Sequence, residues 1–394
     1  MTALWTTYYE AIGRWVRPWT DAHPIFAYPG DGAETLVVAA SVAMLVAWVD
    51  LWVLLILVRL VRPRWVAWCT PRSRRARVLI ALALAVGFLL VLEGLLRQFV
   101  AVSPGPAWRP HPLYFWGLPR GANDLRIFYP DLPIHTNRSG FRGDDIPFEK
   151  EENEVRVLVT GDSSSFGQGV DQRDSFPSVL ERMLSVRYRN RKITVINAGM
   201  PGYSLSQSYY LFEEEGLRYH PDLVIVGSHK WSISSDHLAN RERIAGNAAM
   251  RRLQVWAHES LLYLLLRKQV ARSHARQADL IAEDFGTPAV RDDQYVEYCR
   301  RFLEIFRDRG ISSVYVAPLP QYPNPPDAWH TIQPFSGFSA SLRPSDRVAL
   351  MEWKRDMPEA EFVLSPQDSH FSVRGHASIA RQFYDVIVGH HLLD

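Results

Sequence analysis

The sequence has little cysteine and almost no net charge. Cys69 and Cys299 are the only two thiols among 394 residues, which excludes a disulfide-stapled scaffold and a thiolate-rich metal site. Lysine and arginine number 44 against 42 acids, a formal charge of +2. Nucleic-acid binders usually carry a strong basic excess, so no nucleic-acid partner is expected. At 47% hydrophobic and 22% charged residues, the chain is neither disordered nor fibrous. Tryptophan is unevenly spread. Nine of the thirteen lie before residue 117, together with the two longest apolar runs, so the first hundred residues read differently from the rest.

Residues 35–61 form an apolar run long enough to cross a hydrocarbon core about 30 Å thick. Residues 78–102 form a second, broken only by Glu93, Arg97 and Gln98. Soluble helices rarely stay apolar all round for about 20 residues, so two transmembrane helices are expected. The first run starts too far from Met1, and is too long, for a cleaved signal peptide. Between the runs, residues 62–77 carry Arg62, Arg64, Arg72, Arg74, Arg75 and Arg77 and no acid. By the positive-inside rule this loop is cytoplasmic. The tail at 1–34 and everything after the second run then face outward, into the periplasm of a bacterial inner membrane. Cys69 and Cys299 fall on opposite sides and cannot pair.

In the tail, Leu4, Trp5, Tyr8, Tyr9, Ile12, Trp15, Val16 and Trp19 recur at helical spacing with polar residues between them. This pattern fits an amphipathic helix at the outer membrane surface, with Trp5 and Trp15 facing lipid or a membrane partner. Asp50 lies about fifteen residues into the first run, roughly 22 Å deep at 1.5 Å per residue. Intramembrane acids usually face protein, so Asp50 is a candidate contact for a membrane protein partner.

Residues 103–150 read as an irregular lead-in at the membrane surface, rich in proline and aromatics from Pro104 to Pro133. From residue 155 onward, short β-branched runs alternate with helical stretches. Strands are expected at 155–160, 193–197, 223–226, 313–317 and 361–364. Helices are expected at 175–188, 207–219, 293–309, 345–356 and 371–390. Such alternation implies a parallel sheet with helices on both faces, whose strand ends gather ligand-binding loops at one edge. A mostly helical insertion at about 235–282 interrupts the rhythm of the domain at 151–394.

The first strand runs into GDSSSFGQGV, which puts Ser163 at a strand's C-terminal end between glycines. Before the last helix the chain reads SPQDSHFSVRGH, with Asp368 two residues ahead of His370. The expected topology brings this loop to the same sheet edge as Ser163. A hydroxyl, an imidazole and a carboxylate at one edge make an activated nucleophile.

These blocks resemble those of the SGNH/GDSL hydrolases, a family of esterases and acyl hydrolases with a flavodoxin-like three-layer α/β/α fold. Gly161–Gly169 is similar to the family's nucleophile block, and INAGMPGYS to its second block. Asp368, His370 and the Gly375-His376 pair resemble its last. IHTNRSGFRG from Ile134 is similar to what often precedes such domains. The resemblance implies Ser163 as nucleophile, His370 as base, Asp368 as its orienting acid and Gly202 as a backbone oxyanion donor. It implies no metal and no organic cofactor. One block departs: in VIVGSHKWSIS, His229 stands where the family has an oxyanion-binding asparagine, with Lys230 after it. Losing one such donor can cost about 100- to 1,000-fold in turnover. Two functions are therefore expected as alternatives. One is a membrane-anchored, periplasm-facing serine ester hydrolase or acyl transferase acting on an ester-bearing substrate such as O-acylated envelope glycan. The other is a decayed member serving as a structural subunit of a membrane complex.

Overall fold

The computed structural model describes residues 75, 86–87, 89–90, 93–94, 109–127, 129, 131–227, 241–258, 260, 263, 292–317, 335, 337–352, 354–365 and 368–394. Its contacts divide the chain into two units: Met1–Ala107 with Trp256–Ser273, and Trp108–Val255 with His274–Asp394. Among the described residues no helix is long and apolar enough to cross a membrane. The expected first span, the amphipathic tail and Asp50, Trp5 and Trp15 lie outside the described residues, as does most of the second span. What is described of the second span is helical and exposes Val86, Leu89 and Leu90. In the same unit the Ser260 hydroxyl donates to Glu93 at 2.9 Å.

The second unit is built on a five-stranded parallel sheet. Its strands are β3 (Glu154–Thr160), β4 (Lys192–Asn197), β5 (Leu223–Val226), β6 (Ser312–Val316) and β7 (Val348–Met351), in the order β4-β3-β5-β6-β7. Counted within the sheet, this is the 2-1-3-4-5 order of a flavodoxin-like fold, whose chain reverses direction between its first and third strands. The three central strands, β3, β5 and β6, are buried on both faces, and alternate residues enter two different cores, as the two-residue period of a strand requires. Val157, Val159, Ile225 and Val314 pack with α2 (Phe176–Arg187) and α7 (Val373–Gly389), through Phe176, Leu180, Leu184, Ile379, Phe383 and Ile387. Leu158, Val224, Val226 and Tyr315 pack on the other face with α3 (Leu205–Glu214) and α5 (Asp292–Arg309), through Tyr210, Leu211, Phe212, Phe302 and Phe306. The result is the expected three-layer α/β/α sandwich.

Three expectations need correction. Residues 345–356 hold strand β7 rather than a helix. The apolar run VALM is only four residues long, too short for its charged flanks to decide between periods. Residues 361–364, expected as the last sheet strand, divide between α6 (Glu359–Phe362) and β8 (Val363–Ser365). Strand β8 does not join the sheet; it pairs antiparallel with β9 (Asp368–Phe371). The segment expected as an irregular lead-in is part of the domain. It forms a hairpin of β1 (Arg109–His111) and β2 (Phe115–Gly117), and sends Leu113, Tyr114, Leu118, Ile134 and Phe141 into the core beside α3. Buried Arg156 fastens its end, donating to the carbonyls of Phe148 at 2.8 Å and Glu149 at 2.8 Å. From the expected insertion, α4 (Ala248–His258) is described.

Candidate active site

Strand β3 ends at Thr160, and Gly161 turns the chain at φ 143°. A side chain there is ruled out by space as well as by backbone angle: a Cβ would fall 2.1 Å from Ser165 Oγ. Asp162 then caps α1 (Ser163–Phe166), its carboxylate accepting from the Ser164 N–H at 2.9 Å. The first N–H groups of a helix have no intrahelical acceptor, and Ser163 holds the first helical position. Ser163 itself is half-buried at the C-terminal end of β3, beside the point where strand order reverses. Open α/β sheets bind their ligands there.

The other two groups arrive on β9, not on a loop. Asp368 and His370 are two residues apart on a strand, so both side chains leave the same face. His370 Nδ1 lies 2.6 Å from Asp368 Oδ1, and His370 Nε2 lies 2.9 Å from Ser163 Oγ. With Nδ1–H donating to the carboxylate, Nε2 is the acceptor for the serine hydroxyl. The His370 backbone N–H also donates to Asp368 Oδ1, at 3.1 Å, and the Asp368 N–H donates to Ser365 Oγ at 3.0 Å. Burial alone would raise the Asp368 carboxyl. Hydrogen bonds, the largest from the Tyr129 side chain and the others from His370, outweigh it and hold the group below its ordinary value.

Gly202 follows β4 in a tight turn. Its φ is +76°, Pro201 precedes it, and the Tyr203 N–H donates to the Met200 carbonyl at 3.2 Å. This is the residue pattern of a type II turn, which uses the fourth residue's N–H and leaves the third's outside the ring. The Gly202 N–H is thus free of its own turn. A Cβ at Gly202 would come within 3.5 Å of the Trp116 ring, so strand β2 walls this loop. His229 and Lys230 lie outside the described residues.

Two contributors were not anticipated from the sequence. The Tyr129 hydroxyl donates to Asp368 Oδ2 at 2.5 Å. Arg142, within the FRG of the lead-in, is buried, and its guanidinium reaches the carbonyls of Phe166 at 3.0 Å, Gly167 at 2.6 Å and Val170 at 2.7 Å. It thereby holds the turn that follows α1. Only the resemblance of IHTNRSGFRG to a common lead-in hinted at Arg142, and nothing marked Tyr129. Behind the histidine strand, His376 is buried. Its Nδ1 accepts from the Phe176 N–H at 3.2 Å, while its Nε2 has no hydrogen-bond partner among the described residues. Burial first, then the charges of Arg142 and His370, push it down to about 3, so this ring is neutral.

No protein-family model matches the chain, and no curated protein matches it. Several solved structures do. One is a protein described as lipolytic and of the G-D-S-L family from Desulfitobacterium hafniense DCB-2, 16% identical over 59% of this chain and 99% of its own, with a TM-score of 0.36. An acetyl xylan esterase from Geobacillus stearothermophilus is 14% identical over 59% of this chain and 94% of its own, at 0.37. A family 3 carbohydrate esterase from Clostridium thermocellum is 14% identical over 60% and 96%, at 0.36. Likeness at these scores adds nothing to the reading of the site, which rests on its own geometry.

Proposed function

We propose that this chain is a serine ester hydrolase or acyl transferase of the SGNH/GDSL type. The observation that carries the reading is the continuous relay from Asp368 Oδ1 through both nitrogens of His370 to Ser163 Oγ, at 2.6 and 2.9 Å. Within hydrogen-bond reach, the imidazole can take the serine proton as general base. Ser163 Oγ then attacks the ester carbonyl carbon, and the developing oxyanion is met by the Ser163 and Gly202 N–H groups. His370 returns its proton to the leaving alcohol. Water, or a second alcohol, attacks the acyl-serine by the same route in reverse. Asp368 holds the ring tautomer throughout. His229 is the candidate third oxyanion donor.

The membrane anchor and periplasmic location belong to this proposal, supported by the two apolar runs, the arginine-rich loop between them and the exposed Val86, Leu89 and Leu90. An outward-facing esterase at an envelope suits O-acylated glycan as substrate, and Asp50, Trp5 and Trp15 as contacts for lipid or a membrane partner. The intact relay weighs against a decayed structural subunit. The test is hydrolysis of p-nitrophenyl acetate by the full chain in mild detergent, beside Ser163→Ala. Activity in the parent that disappears in the variant supports the reading. Activity that survives in Ser163→Ala, or none in the parent, defeats it.

A further inference from the structure

The carboxylate of Asp368 has two oxygens and two separate duties. Oδ1 faces His370, accepting from its ring at 2.6 Å and its backbone at 3.1 Å. Oδ2 faces away and accepts from Tyr129, which lies 239 positions earlier. The phenol sits between two parts of the site. A Cβ on Gly169 would come 3.4 Å from its oxygen, and the side chain of Gln168 interacts with it. Tyr129 therefore touches both the strand bearing the acid and the turn that follows the nucleophile helix. Burial, and then the bond to Asp368, push the phenol up to about 12. It stays a donor at any ordinary pH.

From this geometry we propose that Tyr129 is a positioning residue for the carboxylate that orients the histidine: it fixes Asp368 so that Oδ1, and not Oδ2, presents to His370. The inference rests on the hydrolase reading above. A carboxylate held at one oxygen by the histidine alone can rotate about its Cβ–Cγ bond. A second, charge-assisted bond at the other oxygen restrains that rotation, and such bonds are roughly twice as strong as neutral ones. Gln168 stands beside Tyr129, and His370, which reaches on to Ser163, stands beside Asp368.

The test is a double-mutant cycle on the full chain, read as kcat and KM on p-nitrophenyl acetate and as the rate at which a fluorophosphonate labels the protein. Tyr129→Phe keeps the ring and removes only the donor. The expected result is a loss of about tenfold in kcat and in labelling rate, the scale of one hydrogen bond to a charged group, with KM unchanged. In an Asp368→Asn background the same substitution should cost less than about twofold, because the carboxylate it positions is gone. Equal rates for Tyr129→Phe and the parent would overturn the inference. So would a rise in KM alone, or a full loss that persists in the Asp368→Asn background, which is what a purely structural role produces. A parent that neither hydrolyses the ester nor takes up the probe defeats the hydrolase reading, and this inference with it.

Discussion

Replacing Arg142 with methionine should destabilise the domain and disable the site together. The guanidinium makes three hydrogen bonds to backbone carbonyls, at 3.0, 2.6 and 2.7 Å, and lies 5.0 Å from the centre of the Phe166 ring. Bonds to a charged donor contribute about 1.5–3 kcal/mol each, net of the solvation given up. Burial pushes this arginine down to about 10, and the Phe166 and Gly167 carbonyls keep second donors in the Asn197 amide and the Val170 N–H; both facts favour the low end of that range. Arg142→Met should therefore lose about 4 kcal/mol, since methionine fills the space but donates nothing. For a domain of this size each kcal/mol moves the melting temperature by about 2–4 °C, so a fall of about 10 °C is expected in a thermal scan of the full chain. Arg142→Lys should recover only part of it, because one ammonium cannot span carbonyls that a planar fork reaches at once. Ester hydrolysis should fall in both variants, as the turn at 166–170 sets the end of the helix that starts at Ser163. A methionine variant that melts within about 2 °C of the parent would refute the reasoning: the bonds would then be worth no more than the desolvation they offset.

Three further outcomes are expected. His376 is held at about 3 when folded, against about 6.5 when unfolded. The unfolded chain binds the extra proton, so this contribution to stability is whole above about pH 6.5 and falls by about 1.4 kcal/mol per unit toward pH 3. Urea midpoints for His376→Phe should accordingly drop less between pH 6.5 and 4.5 than those of the parent, and an equal drop would contradict this. For topology, cysteines introduced at Ala22 and Pro104 should label from outside the cell and one at Ser73 should not; labelling at Ser73 alone would reverse the arrangement. In the altered oxyanion block, His229→Ala should lower kcat with little effect on KM, while His229→Asn should keep or raise activity. If both changes are silent, His229 is not a donor.

Much of the fold was legible because its signals are local. The runs at β3, β4, β5 and β6 are short and rich in apolar and β-branched residues, so each stood out within one residue of its observed ends. Helices α2, α5 and α7 were similarly plain from their apolar spacing. The errors fell where periodicity is weakest. A four-residue run, Val348–Met351, cannot reveal its period, and the run at 361–364 was strand-like but ends in a strand, Val363–Ser365, that pairs locally with β9 and not with the sheet. The relay residues were legible because Ser163, Asp368 and His370 sit in glycine- and polar-rich blocks next to strand ends. Tyr129 and Arg142 were not. Each acts across more than twenty positions, on a carboxylate 239 positions away or on carbonyls 24 to 28 positions away. No sequence period encodes such contacts.

The proposed reaction requires Ser163 to be the nucleophile. Mass spectrometry of the full chain after treatment with a fluorophosphonate, followed by peptide mapping, tests this without an intermediary. A single phosphonyl adduct on Ser163 is expected, absent from Ser163→Ala and strongly slowed in His370→Ala. An adduct on another serine, or an unmodified Ser163 in a protein that still hydrolyses esters, would contradict it.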